Sequence, residues 1–278
     1  MPVIALTQGM GSLAQDVAEQ LARELHLTTL QHEVGERVAD RMQVSKSLVS
    51  RLREGKAGTI ERLKTDSDSL AVFTAEEVLQ AAVRGNVVLR GWGATLLLRG
   101  VPHVVRVRIA RPLHKRVEWL MDHLGIDEIE VAQAEIRRSD QAHAARMNEL
   151  FGVTWGDPLL FDLVLNTDRL SVDACVEQIR TLVARPEFAE TDASRATMQG
   201  LALQAQVRSA LRAQEATRDV DITIDGQGGR IALRGVVLNG AERQAAGAVA
   251  AGVPGVTGVD NELRVMAASR RFTSAGGS

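Results

Sequence analysis

The chain opens with the pattern of a strand, a glycine turn and a helix, which constrains its fold more than any other feature. The apolar run of residues 3–6 predicts a buried strand. Apolar residues then recur every four positions through residues 13–25, on one face of a helix. Gly9, Gly11 and Ser12 form the turn between them. Because helix N-termini attract anions through free N–H groups and the helix dipole, residues 9–12 (the glycine loop) are predicted to bind phosphate.

The glycine loop lacks the cation that phosphate-binding loops usually carry. A P-loop of the form G-x-x-x-x-G-K-[ST] places a lysine on the β- and γ-phosphates, whereas the first lysine of this chain is Lys46. Two glycines spaced by one residue also fit an ordinary turn at the start of an α/β domain. The sequence therefore leaves open both a nucleotide site and a purely structural turn.

Composition limits the possible partners and compartments. The net charge of −2 gives no reason to expect a general nucleic-acid-binding surface. The only cysteine, Cys175, excludes a disulfide within the chain and indicates a reducing compartment. A signal-peptide pattern and an apolar stretch of about 18 residues are both missing from the sequence. We therefore expect a cytoplasmic chain without a transmembrane segment.

Predicted strands and helices alternate along residues 1–187. The strands are predicted at residues 3–6, 86–90, 104–109 and 160–165, and the main helices at residues 13–25, 31–55, 74–84, 112–123, 127–150 and 171–183. This alternation indicates an α/β domain with a mostly parallel sheet covered by helices on both faces. Ligands of such sheets bind at the carboxyl ends of the strands, where the glycine loop and residues 90–93 and 110–111 fall.

Several short motifs follow one another in the order of a known family. They are GSLAQDVA (11–18), NVVLRGWGA (86–94), VRVRIARPLHKRV (105–117), IRRSD (136–140), and WGDP (155–158) with FDLVLNT (161–167). Over residues 1–184 this order resembles the cytidylate-kinase-like family of P-loop nucleoside monophosphate kinases. The resemblance implies a P-loop kinase-like fold, a nucleotide ligand, and ATP with magnesium as cofactors if the chain is active.

The sequence departs from the family at the residues that carry positive charge. Two family glycines are Leu13 and Ala14, and the family's basic residue on the loop is Gln15. Trp92 replaces a family arginine, for which Arg90 is a candidate substitute. Core packing is the alternative interpretation of Trp92. Since phosphoryl transfer relies on positioned cations, these losses predict weak or no kinase activity, with a working CMP-like kinase as the alternative.

The candidate nucleotide- and phosphate-binding residues lie in the glycine loop, after the strand at 86–90, and on two later helices. They are Gly9, Gly11, Ser12, Gln15, Arg90, Arg116, Arg137, Arg138, Asp140 and Arg146. On the lid-like helix of residues 127–150, His143 replaces a further family arginine. The arginines of this helix fit equally well a solvated face paired with acidic neighbours. No catalytic residue and no metal ligand is assigned.

Residues 43–53 resemble the recognition helix of a helix-turn-helix DNA-binding motif. Small polar residues and arginines lie on one side of this segment, and residues 34–42 could supply the partner helix. However, the segment falls inside the α/β unit, where the kinase-like family has a comparable helical insertion. We therefore do not expect nucleic acid as a partner.

The C-terminal part has its own pattern of a helix, two alternating strands, a helix and a strand. The stretches ALRGVV (232–237), ER (242–243) and GVTGVDN (255–261) resemble the BON domain over residues 200–267, a small α+β fold of order αββαβ. The resemblance implies attachment to a protein or phospholipid partner, although no polybasic cluster is present. We expect a kinase-like domain at 1–187, a linker at 188–199, a BON-like domain at 200–267 and a disordered tail at 268–278.

Overall fold

A computed structural model describes residues 1–30, 32–54, 56–58, 60–61 and 66–266. The chain divides into two compact units, Met1–Ala205 and Gln206–Ser278. The predicted disordered tail at 268–278 lies outside the described residues. Within the described ranges, no helix combines the length and apolar character needed to cross a bilayer.

The first unit is built on a parallel sheet. Its strands are β1 (Val3–Gln8), β2 (Thr28–Leu30), β3 (Val87–Arg90), β4 (Val104–Ala110) and β5 (Leu163–Asn166). Their spatial order is β2-β3-β1-β4-β5, and every neighbouring pair is parallel. The central strand β1 therefore lies between β3 and β4, and its carboxyl end leads directly into the glycine loop.

Helices cover both faces of this sheet, as the alternation of strands and helices predicts. They are α1 (Ala14–Leu25), α2 (His32–Met42), α3 (Lys46–Arg53), α4 (Ser67–Arg84), α5 (Ala94–Leu97), α6 (Leu113–Leu124), α7 (Ile129–Phe151) and α8 (Val172–Val183). Val3 and Ala5 of β1 pack with α2 and α4, while Ile4 and Leu6 pack with α1 and α8. Alternate residues of one strand thus enter two cores on opposite faces, which confirms the predicted α/β fold.

Two elements of the first unit differ from the sequence prediction. The edge strand β2 was not predicted, because a run as short as Thr28–Leu30 shows no periodicity that separates a strand from a loop. Helix α4 begins at Ser67 rather than at Thr74. Its N-cap is Asp66, whose Oδ1 accepts from the backbone N–H groups of Asp68 and Ser69, both at 3.1 Å.

The second unit contains a small mixed sheet. Strands β6 (Ile222–Gln227) and β7 (Arg230–Val237) form an antiparallel hairpin, and β8 (Gly258–Asn261) and β9 (Arg264–Val265) pair with β7 in parallel. Helix α10 (Gly240–Ala251) begins at the predicted cap, where Asn239 Oδ1 accepts from Glu242 N at 2.9 Å. This architecture agrees with the predicted α+β fold.

The last strand of the second unit was predicted as one continuous strand, and two strands are observed there. Strand β8 pairs with Arg230–Leu233 and β9 with Val236–Val237, so the break falls opposite Gly235 of β7. Gly235 has φ +142, and a Cβ on it would lie 3.2 Å from the carbonyl oxygen of Asp221. The kink at this glycine divides the pairing edge of β7, which the alternation of apolar residues does not reveal.

The segment before the second unit is more regular than predicted. Helix α9 runs over Asp192–Ala213, so it begins inside the predicted linker of residues 188–199 rather than after it. A short 3-10 helix, Pro186–Phe188, precedes it. Ser194 stabilises the first turn, since its Oγ accepts from Thr191 N at 2.9 Å. This local cap compensates for the weak apolar periodicity of the segment.

Candidate functional site

The glycine loop joins β1 to α1 through a backbone that bends to the left-handed side twice. Gly11 has φ +75 and Leu13 has φ 59, and helix α1 begins at the next residue, Ala14. A left-handed conformation costs an L-residue about 1–2 kcal/mol. Leu13 therefore adopts the backbone of the glycine it replaces in the family pattern, although its side chain disfavours that backbone.

Arg116, from helix α6, packs directly on the glycine loop. Its Nε donates to the carbonyl oxygen of Met10 at 3.0 Å, and its Nη1 and Nη2 donate to Asp140 Oδ2 at 3.0 and 2.7 Å. A Cβ on Gly9 would lie 2.7 Å from Arg116 Nη1, so a larger residue there would have to displace the guanidinium. Arg116 is only 8% exposed. The structure thus brings together four of the predicted residues, Gly9, Gly11, Arg116 and Asp140.

Burial dominates the electrostatics of the Arg116–Asp140 pair. It lowers the pKa of the Arg116 guanidinium, and the nearby Asp140 carboxylate opposes that shift. Burial also raises the pKa of Asp140, against the opposing charges of Arg116 and Arg108. The charged form of each side chain is therefore stabilised by the opposite charge of its partner, since burial removes much of the surrounding water.

Gln15 and Arg90 lie together on another side of the loop. Gln15 Nε2 donates to Glu19 Oε1 at 2.9 Å, and Arg90 Nη2 donates to Gln15 Oε1 at 3.5 Å. Burial lowers the pKa of Arg90, while the charges of Glu19 and Asp16 raise it. Position 15 thus places a neutral amide, already engaged by neighbouring side chains, where the family has a cation.

The remaining predicted arginines contact other parts of the first unit. Arg137 and Arg138 are exposed on helix α7, where Arg138 pairs with Glu135. Arg146 Nη2 donates to the carbonyl oxygen of Leu52 in α3 at 2.6 Å, and burial lowers its pKa. Arg138 and Arg146 therefore have protein partners, as the solvated-face interpretation predicts for Arg138.

The two aromatic replacements also have defined neighbours. Trp92 belongs to the partly buried hydrophobic residues on the core of α2 and α4, and a Cβ on Gly35 would lie 3.1 Å from its ring. His143 stacks on Trp155 with 5.6 Å between ring centroids, and its Nδ1 lies 3.0 Å from the carbonyl oxygen of Ser139. Trp92 therefore serves core packing, and His143 lies beside a tryptophan at the carboxyl end of the sheet.

Around the glycine loop, a set of buried side-chain atoms finds no hydrogen-bond partner among the residues that the structure describes. These orphan atoms are Gln8 Oε1, Ser12 Oγ, Arg108 Nη1, Arg111 Nε, Asp140 Oδ1 and Trp155 Nε1. They come from the ends of β1 and β4, the glycine loop, α7 and the segment after it. Buried polar atoms normally have partners, so such a cluster marks a place where a polar ligand can bind.

Sequence reasoning missed Arg108 and Thr167 as residues of this site, although it placed Arg111 at the edge of the sheet where ligands bind. Thr167 Oγ1 donates to the carbonyl oxygen of Ser12 at 2.9 Å and so supports the loop from β5. Arg111 Nη1 donates to the carbonyl oxygen of Gly11 at 3.4 Å. One signal was available, because Arg108 and Arg111 flank the carboxyl end of a predicted parallel strand, where ligands bind.

Comparison with known proteins gives the same two-part organisation. The family model described as "Cytidylate kinase-like family" matches residues 3–169, and the model described as "BON domain" matches residues 201–267. The cytidylate kinase of Staphylothermus marinus is 25% identical over 123 residues, covering 44% of this chain and 68% of that protein. The cytidylate kinase of Ignicoccus hospitalis is 29% identical over 189 residues, covering 66% of this chain and 99% of that protein.

A solved structure shares the fold. The crystal structure of an uncharacterized protein from Eubacterium ventriosum superimposes with a TM-score of 0.51 at 18% identity, covering 66% of this chain and all of that one. The parallel sheet, the glycine loop at its centre and the order of the motifs agree with the family match, which spans more than half of the chain. The chain therefore belongs to the cytidylate kinase-like family and carries a C-terminal BON domain.

Proposed function

We propose that the glycine loop binds the phosphate groups of a nucleotide and that phosphoryl transfer from ATP is slow or absent. The observation that carries binding is the loop itself. Gly11 and Leu13 turn the backbone into the start of α1, and Ser12 Oγ, one of the orphan atoms, lies buried in that turn. Free N–H groups of the helix start and a hydroxyl without a protein partner in the described chain suit phosphate oxygens.

The contacts of the candidate cations support slow transfer. Gln15 carries no charge, Arg116 is held by Met10 and Asp140, and Arg146 is held by Leu52. Phosphoryl transfer is accelerated by cations that move onto developing charge. Cations that already hold protein acceptors must break those contacts first, which raises the barrier.

ATP with magnesium is the cofactor that the family implies. Ser12 Oγ and Asp140 Oδ1 are buried oxygens among the orphan atoms, which fits a hard cation or phosphate-bound water. The described residues hold no group of three or more His, Cys, Asp or Glu side chains able to bind a metal. If magnesium arrives bound to the phosphates, Ser12 would help to hold it, and the ion would neutralise their charge.

An active CMP-like kinase is the second candidate. It is favoured by the match to 99% of the length of the Ignicoccus hospitalis cytidylate kinase and by the presence of Arg116 and Asp140 at positions where the family pattern has them. The two candidates differ in turnover and share the binding site.

The BON domain gives the chain a second role in this proposal. Val236, Leu238, Val265 and Met266 expose 55%, 67%, 44% and 56% of their surfaces, and exposed apolar side chains suit contact with a protein or a phospholipid surface. We propose that nucleotide binding is coupled to such a partner in the cytoplasm. The free and buried Cys175 agrees with a reducing compartment.

Calorimetric titration with ATP and with CMP, each with magnesium, tests the binding site. The wild type should bind, and Gly11→Asp should remove binding because it adds bulk and negative charge beside Arg116 and Trp119. Gly100→Asp is the matched control, since a Cβ there has no described atom within 4 Å. Equal isotherms for the wild type and Gly11→Asp would rule the loop out.

A coupled assay of phosphoryl transfer from ATP to CMP separates the two candidates. We expect turnover below about 1 s⁻¹, the lower end of the usual kinase range. Gln15→Arg should raise turnover, since it returns a charge beside Glu19 and Arg90. Wild-type turnover within the usual kinase range would establish the active kinase instead.

A further inference from the structure

Arg108 lies on the central part of the sheet, close to the carboxyl end of β4. In the parallel register it is paired with Thr7 of β1 and with Val164 of β5. Its guanidinium carbon lies 4.5 Å from the ring centroid of Trp155 and 5.7 Å from that of Phe161. Both rings lie within cation–π distance of the guanidinium and help to fix its position.

Arg106, two residues earlier on the same face of β4, provides a contrast. It forms a bidentate pair with Asp162, with Nε to Oδ2 at 3.2 Å and Nη2 to Oδ1 at 2.6 Å. Arg108 Nη1, in contrast, is one of the orphan atoms. The same strand therefore presents one arginine with an internal carboxylate partner and one whose Nη1 has none among the described residues.

The charged groups near Arg108 do not neutralise its positive charge. The groups that act on it are Asp140 and Arg116, and burial lowers its pKa. Asp140 uses Oδ2 for both donors of Arg116, while Asp140 Oδ1 is itself an orphan atom. Arg108 and Arg116 together thus face one carboxylate, which leaves a positive charge uncompensated in a partly buried region. Such a charge is costly without an anion.

We propose that Arg108 binds a phosphate group of the nucleotide held at the glycine loop, and so supplies the positive charge that Gln15 lacks. This assignment rests on the proposed function and names a residue that the family resemblance did not point to. A guanidinium is planar and suits two phosphate oxygens at once, and Trp155 fixes its plane. Trp155 Nε1, also an orphan atom, can donate to a neighbouring oxygen of the same ligand.

The test compares Arg108→Gln with the matched control Arg106→Gln in the full-length protein. Calorimetry with ATP, CMP and pyrophosphate should show Arg108→Gln binding at least about tenfold more weakly, as expected for loss of a charge-assisted hydrogen bond. Arg106→Gln should bind all three as the wild type does. Arg108→Lys should have an affinity between those of the wild type and Arg108→Gln, because an ammonium keeps the charge without the bidentate geometry.

Melting without ligand separates binding from a structural role. Arg106→Gln leaves the Asp162 carboxylate without its guanidinium partner and should lower the melting temperature. Arg108→Gln removes an uncompensated charge, so its melting temperature should be no lower than that of the wild type. Pyrophosphate should raise the melting temperature of the wild type, and at the same concentration it should raise that of Arg108→Gln by less.

Two results would overturn the assignment of Arg108. One is equal affinity of Arg108→Gln and the wild type for ATP, CMP and pyrophosphate. The other is a loss of affinity that Arg106→Gln reproduces, which would show general damage to the strand. If Gly11→Asp removes binding in the same titrations while Arg108→Gln does not, the loop site stands and this inference alone is refuted. A wild-type protein that binds none of the three ligands refutes the proposed function as well.

Discussion

At the carboxyl end of the five-stranded sheet, polar atoms are buried without protein partners in the described chain, whereas polar side chains of the second unit are paired with near neighbours. Arg234 reaches Asp225 at 2.6 Å and Glu262 at 2.7 Å, and Arg230 reaches Asp260 at 2.6 Å. Six of the eight orphaned side-chain atoms among the described residues surround the glycine loop, and the second unit contains one, Ser209 Oγ. Unpaired groups and left-handed residues are tolerated where a ligand can compensate for them.

The comparison predicts that the second unit depends on ordinary core packing. Leu233 is fully buried in β7. Its replacement by alanine should lower the free energy of unfolding by about 2–5 kcal/mol. Val236→Ala, on the same strand but exposed, should change the free energy of unfolding by less than about 0.5 kcal/mol. Circular dichroism in denaturant measures both.

Tryptophan fluorescence supplies the control for this prediction, because all 3 tryptophans lie in the first unit. Leu233→Ala should shift the circular dichroism transition and leave the fluorescence transition in place. An unmoved circular dichroism midpoint would show that Leu233 is not a core residue of β7.

At the glycine loop, the contact with Arg116 should make one glycine intolerant of a methyl group. Gly9→Ala places a Cβ 2.7 Å from Arg116 Nη1, which is held by Asp140. The resulting overpacking should cost about 1–3 kcal/mol. Gly100→Ala is the control and should be nearly neutral, since a Cβ there meets no described atom within 4 Å. If both variants unfold at the same denaturant concentration, Arg116 does not hold its place on the loop.

Backbone strain at Leu13 should reverse the usual order of stability, in which an alanine variant is more stable than a glycine variant. Because Leu13 has φ 59, Leu13→Gly should be more stable than Leu13→Ala by about 1 kcal/mol. At Glu19, inside helix α1, the glycine variant should instead be less stable than the alanine variant by about 1 kcal/mol. Fluorescence-monitored denaturation compares the two pairs, and the same ranking at both positions would argue against strain at Leu13.

A pH-dependent loss of stability is expected at the opposite end of the same sheet, where a buried polar group does have a partner. His103 is 4% exposed, its Nδ1 lies 2.7 Å from Ser194 Oγ, and burial lowers its pKa below the usual value. As the pH falls below about 6.5, the unfolded chain takes up the proton first. The folded state should therefore lose stability, by at most about 1.4 kcal/mol per pH unit for one group.

The pH dependence should disappear with the imidazole. His103→Gln should flatten the loss of stability between pH 7.5 and 5.5, a range set by the usual pKa of histidine of about 6.5. His114→Gln, at an exposed position of α6, should leave it unchanged. Stability that rises as the pH falls in the wild type would contradict the direction of the His103 shift.

Sequence reasoning was most successful where one local pattern repeats. Alternating strands and helices predicted a parallel sheet covered on both faces, and the helix predicted at 171–183 is observed as α8, Val172–Val183. It failed where signals are short or non-local. Strand β2 is only Thr28–Leu30, and the start of α4 depends on Asp66 rather than on Thr74.

The sequence by itself determined the class of the fold, the place of the glycine loop and the loss of charge at Gln15, because each follows from residue types close together in the chain. Only the tertiary structure decided which cations surround that loop. Arg116 reaches it from α6, while Arg138 and Arg146 find partners elsewhere. Arg108 and Arg106 look alike in the sequence, yet Asp162 pairs with just the latter. Side-chain partners from distant segments set the availability of a charge, and spacing along the chain does not encode them.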